Sequence, residues 1–79
     1  MKKRAKKWRT VKVPYGHSRQ ETKLGRCWLT VNIYPDADPP YHWRVSRREG
    51  IGPLARGRTR SMLAAKITAL QRARRLRCE

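Results

Sequence analysis

The sequence predicts an α+β fold in which a three-stranded antiparallel sheet, with room for a fourth strand, is packed on one face by a C-terminal helix. Three observations carry this. CWLTVNIY at 27–34 alternates apolar and polar side chains, YHWRVSRR at 41–48 does the same, and 60–76 is free of Gly and Pro and rich in Ala, Leu and Arg. Alternation with period two is the pattern of a half-buried strand, and a long run of strong helix formers is that of a helix.

In the first strand, Cys27, Leu29, Val31 and Ile33 share one side, and Trp28, Thr30, Asn32 and Tyr34 the other. PDADPP at 35–40 forbids a helix and forms a wide hairpin loop. The second strand places Tyr41, Trp43 and Val45 inward and His42, Arg44, Ser46 and Arg48 outward, and Glu49–Gly50 then make a tight turn. IGPLARGR at 51–58 reads as a third strand; Gly52, Pro53 and Gly57 confine it to an edge or a bulge. With Thr59 or Ser61 as N-cap, the helix gathers Met62, Leu63, Ile67, Ala69, Leu70, Ala73 and Leu76 into one apolar sector. Lys66 and Arg74 fall in the same sector, which requires their stems to lie along the core edge while their charged heads reach water.

Ahead of this body, residues 1–26 read as a basic arm. RTVKVPY at 9–15 alternates well enough to add a strand, and the polar GHSRQETKLGR at 16–26 reads as a loop. The domain boundary therefore falls at 26/27, with a β-β-β-α body over 27–79.

Charge narrows the function. The chain has 79 residues, 21 Lys and Arg against 5 Asp and Glu, and a formal net charge of +16. So small a domain buries only roughly 60% of the surface its unfolded chain exposes, so its core is thin and self-repulsion is costly unless a polyanion screens it. Nucleic acid is the expected partner. Lysine crowds the first 26 residues, as suits phosphate contacts, whereas arginine, with its planar bidentate fork, dominates the remainder. The charged opening lacks the apolar stretch of a secretory signal, and no window has the apolar length of a membrane span. Cys27 and Cys78 are too few and too far apart to suggest a disulfide framework, and Cys27 reads as a small buried residue. A reducing cytoplasm is the expected compartment, with nucleoid association if the source is bacterial.

If the inner parity faces the helix, the other face of the sheet is open and rich in groups that contact nucleic acid. Arginine can bind guanine bidentately, asparagine adenine, and aromatic rings lie on sugars or bases. The candidate contacts are Trp28, Asn32, Arg44, Ser46 and Arg48 on the body, with Lys2, Lys3, Arg4, Lys6 and Lys7 on the arm. A solvated face of cross-strand polar pairs is the plainer alternative.

The run Trp43-Arg44-Val45, then Gly50, a weak strand, Gly57-Arg58-Thr59 and a helix with Ala64 and Ala65 near its start, resembles the arm-type DNA-binding domains of tyrosine recombinases. The DNA-binding domain of plant ethylene-response factors is similar in build. In the recombinase family the open sheet face enters the major groove, which by resemblance implicates Trp28, Arg44, Ser46, Arg48 and Arg56 or Arg58. The chain stops where the recombinase core and catalytic domains would begin, so the resemblance implies a stand-alone accessory or regulatory DNA binder of a phage or mobile element.

Enzymatic signatures are weak, and neither an enzyme nor a cofactor is expected. Asp36 and Asp38 offer too few oxygens for a Ca²⁺ or Mg²⁺ site, and Cys27, Cys78, His17 and His42 lack the spacing of a zinc site. GHSRQ lacks the final glycine of a nucleophile elbow, and GIGPLARG lacks the spacing of a phosphate-binding glycine loop. Besides duplex DNA, an RNA or ribosomal partner, or a host protein inhibited through an acidic or nucleic-acid-binding groove, stays open. Sparse aromatics favour duplex DNA.

Overall fold

The computed structural model describes residues 7–13, 18–47 and 52–78. It is an α+β fold in which five strands run in simple sequence order, β1 Arg9–Lys12, β2 Ser18–Leu24, β3 Cys27–Ile33, β4 Tyr41–Ser46 and β5 Ala55–Thr59, each antiparallel to its neighbour. Helix α1, Met62–Arg75, packs across β3, β4 and β5. Three or four strands was an undercount. β1 falls within the segment expected to add a strand, but β2 occupies residues expected to be loop, so the sheet extends across the boundary placed at 26/27.

β2 forms because Gln20, Thr22 and Leu24 alternate with Arg19, Glu21 and Lys23, and because Gly25 turns the chain. Gly25 has φ 56°, and it and Arg26 are the two residues between the paired Leu24 and Cys27. Glycine at the first position of a two-residue loop is the chemistry of a II′ hairpin. The PDADPP loop behaves as expected: the Tyr34 amide donates to the Pro40 carbonyl at 2.8 Å, closing the wide connection to β4. The turn expected at Glu49–Gly50 lies outside the described residues. β5 is an edge strand that starts after Pro53, as proline requires.

The expected inner face is observed. Leu29, Val31, Trp43 and Val45 are buried with Leu24 and Cys27 against Ala65, Ala69 and Ala73 of α1. Ser61 caps the helix, its Oγ accepting from the Ala64 amide at 3.0 Å. The buried line differs from the expected sector. Alanines at i, i+4 and i+8 face the sheet, flanked by Met62, Leu70 and Leu76, while Leu63 is 68% exposed and Ile67 is also exposed. The reason is division of labour: large side chains come from the sheet, and a methyl-sized helix ridge lets the two layers approach closely. Lys66 places its Nζ 5.3 Å from the centre of the Trp8 ring, so a cation–π contact holds it at the core edge.

Trp43 makes the tightest fit. It pairs with Gly57, and a Cβ built on Gly57 would stand 2.7 Å from three atoms of the indole. Glycine in the strand leaves room for the ring to lie over the backbone.

Cys27 is buried at the start of β3 as expected, but the expectation that the cysteines form no disulfide is overturned. Cys27 and Cys78 form a disulfide, with Cα atoms 5.4 Å apart at a sequence separation of 51. The helix end brings Cys78 there. Arg77 takes φ 57°, its amide donates to the Arg74 carbonyl, and the Cys78 amide donates to the Ala73 carbonyl, a Schellman closure with arginine in the position usually given to glycine. The Cys78 carbonyl then accepts from the Arg26 amide at 2.7 Å. Closing so long a loop contributes about 4 kcal/mol on the chain-entropy account, a large share of the stability of a small domain. The cysteines thus no longer argue for a reducing compartment. No helix among the described residues is long and apolar enough to cross a membrane.

Gly57→Ala should lower stability by about 1–3 kcal/mol, because the indole must leave its site or the strands must part. Gly52→Ala meets nothing within 4 Å and should change little. Chemical denaturation of the two variants checks the contrast.

Candidate nucleic-acid interface

The register determines what the open face displays. Thr30 lies opposite Arg44, Asn32 opposite His42, and Trp28 opposite Ser46; on the far side Arg44 faces Arg56 and His42 faces Arg58. β2 adds Arg19 opposite Asn32 and Lys23 opposite Trp28, and β1 adds Arg9 opposite Glu21. Because parity holds along each strand, Arg9, Arg19, Lys23, Arg44, Arg56 and Arg58 all project from the face that α1 leaves uncovered. Glu21 is the one acid among the described residues of this face, and Arg9 occupies it, Nη2 to Oε1 at 2.6 Å.

The candidate residues do not share one role. Arg44, Arg56 and Arg58 are exposed and make no ion pair or hydrogen bond among the described residues, so their guanidinium groups are available. Asn32 is only 6% exposed, and its Oδ1 accepts from Arg19 Nε at 2.8 Å. It cannot offer the acceptor half of a bidentate adenine contact without breaking that bond. Ser46 is 9% exposed, beside Trp28, and does not border the cleft described below. Trp28 is half-buried with the Lys23 ammonium 5.4 Å from its ring centre. Lys7 is exposed. Lys2, Lys3, Arg4, Lys6 and Arg48 lie outside the described residues.

Tyr34 and His42 approach each other with ring centres 4.7 Å apart and planes at 49°, and His42 Nε2 is 3.1 Å from the Pro39 carbonyl oxygen. These rings, with Asn32, Arg44, Arg56 and Arg58, border a cleft of about 270 Å³ over β3, β4 and β5. Its floor includes Trp43 and Gly57.

Arg19 and Lys23 were missed because residues 16–26 look like loop by composition, and Arg9 because the strand expected over 9–15 was given no place on the open face. The available signal was the two-residue Gly25–Arg26 connection between alternating segments, which makes residues 18–24 the hairpin partner of β3.

Other sequence features resolve into surface structure. Ser18 begins β2 opposite Lys12 and Ile33, in a regular strand rather than a strand-to-helix elbow. Asp38 lies 3.8 Å from Arg60 Nε, and both side chains are over 80% exposed, so the pair contributes little. No cluster of three or more His, Cys, Asp or Glu able to hold a metal occurs among the described residues.

No family model, curated protein or solved structure matches this chain. The likeness to arm-type domains therefore rests on the residues that suggested it, and the sheet has five strands where three or four were expected.

The pairing of Arg44 with Arg56 is informative, because like charges directly opposite each other on one sheet face are destabilising. Arg56→Ser should leave stability unchanged or raise it by about 0.2–1 kcal/mol at low salt. Thermal melts across an ionic-strength series provide the check, and a marked loss of stability would assign Arg56 a structural role instead.

Proposed function

We propose that this protein binds duplex DNA through the open face of its sheet, with the lysine-rich residues before β1 adding phosphate contacts. The observation that carries this reading is the set of arginines Arg44, Arg56 and Arg58, unpaired among the described residues, on a face whose one acid among those residues, Glu21, is already neutralised by Arg9. Such an arrangement costs folding stability and suits an external polyanion.

Shape favours a duplex. The major groove of B-DNA, about 12 Å wide, admits a two-stranded ribbon, whereas the deep, narrow major groove of A-form RNA does not. β4 and β5 would supply that ribbon, with Arg44, Arg56 and Arg58 directed at phosphates and base edges. Single-strand binders instead present rows of open rings, whereas here Lys23 attends Trp28 and only Tyr34 and His42, a single tilted pair, stand over the cleft. The accessory role implied by the arm-type likeness fits this reading, in which the protein occupies DNA and performs no chemistry on it.

Binding should be strongly salt-dependent. The log–log slope of affinity against salt should be roughly −4 to −8, and deletion of residues 1–7 should make it shallower while weakening all duplexes alike. Fluorescence anisotropy with duplex DNA, duplex RNA and single strands at matched salt tests the reading. Preference for duplex RNA or single strands would replace DNA as the ligand, and a flat salt response would reject nucleic acid.

A further inference from the structure

The cleft on the open face is more than a cationic surface needs. A duplex backbone tracks along a face and is satisfied by a flat array of guanidinium groups, yet here residues of β3, β4 and β5 and Tyr34 border a cleft over the paired strands. Its wall chemistry is mixed: Tyr34 and His42 provide rings, Arg44, Arg56 and Arg58 provide unpaired cations, and Asn32 provides an amide. At about 270 Å³ the cleft lies just below the usual range for pockets holding free small ligands, roughly 300–1,000 Å³. That is room for one unit of a polymer whose remainder is held elsewhere.

The three chemistries match a nucleotide's phosphate, the face of its base and the edge of that base. Guanidinium groups bind a phosphate, often bidentately. Rings stack on a base face regardless of its sequence. Asn32 has its Oδ1 committed to Arg19, which leaves its Nδ2–H₂ as a donor for an acceptor on a base edge. A paired base presents its flat face to its neighbours in the stack and cannot reach such a cleft, whereas a base already out of the stack pays little to enter it.

Resting on the duplex-binding reading above, we infer that this cleft is a site for a single unpaired nucleotide, so that the protein prefers duplex DNA interrupted by a bulged base. Tyr34 and His42 hold the base, Asn32 donates to its edge, and Arg44, Arg56 and Arg58 hold the adjoining phosphate. The flanking duplex lies over the rest of the cationic face.

The test uses the full chain and three labelled duplexes of one sequence: fully paired, carrying one bulged nucleotide, and carrying the same bulge with its base removed. The abasic bulge keeps the backbone and its bend, so the comparison isolates the base. Binding to the bulged duplex should be roughly tenfold tighter than to the abasic one, as expected for stacking of one base. Tyr34→Ala and, independently, His42→Ala should erase that difference and leave affinity for the paired duplex within about twofold. Equal affinity for all three duplexes, with the paired one still bound, would overturn the nucleotide site and leave duplex binding standing. Failure to bind any of the three would overturn both.

Discussion

The indole of Trp43 lying over Gly57 fixes how β4 and β5 are paired, and the display on the opposite face follows from that register. A shift of one residue would bring Arg56 or Arg58 beneath the indole and turn Gly57 outward, because side-chain direction reverses with each residue of a strand. Only the observed register leaves Arg44 beside Arg56 and His42 beside Arg58. The core contact and the cationic face are therefore two sides of one constraint. Glycine supplies the space on one side, and its arginine neighbours supply the charge on the other.

A domain of this size carrying +16 needs compensation, and the structure shows where it comes from. The apolar core is narrow: five buried apolar residues of β3 and β4, Cys27, Leu29, Val31, Trp43 and Val45, meet the alanine ridge of α1. The Cys27–Cys78 disulfide ties the end of the helix to the start of β3, and the Schellman closure directs Cys78 into place. The helix end is thus anchored although Arg72, Arg74 and Arg75 crowd its last turn, where they also complement the helix dipole. Cross-linking constrains the unfolded chain rather than neutralising charge, so it adds stability without filling the cationic face.

The parts of the fold that were legible in the sequence are those where burial imposes a period. β3 and β4 have one face packed and the other open, so Leu29, Val31, Trp43 and Val45 alternate with polar neighbours, and both the strands and their faces could be read. β2 packs only Thr22 and Leu24 fully, and its inner Gln20 gives no apolar signal, so composition suggested a loop. In α1 the helical period was clear but the buried line was not. Alanine packs by being small, and a reading that weighs apolar size placed Leu63 and Ile67 inside. The disulfide is a tertiary fact: a separation of 51 residues says nothing until the helix end and the β2–β3 hairpin are known to meet. For the candidate site, parity placed Arg44 on the open face, and Arg56 and Arg58, which only the resemblance implicated, lie on the same face, while the burial of Asn32 and Ser46 depends on cross-strand neighbours that parity alone does not reveal.

The central claim is that nucleic acid lies on the sheet and not on the helix. It is tested most directly by recording amide and arginine side-chain resonances of the labelled protein while a fully paired DNA duplex is added. The account predicts that the largest shifts occur at Arg44, Arg56, Arg58 and the Trp28 indole, with the exposed ridge of Leu63, Ile67 and Arg74 on α1 little changed. Shifts concentrated on that ridge, with the sheet resonances unmoved, would contradict it.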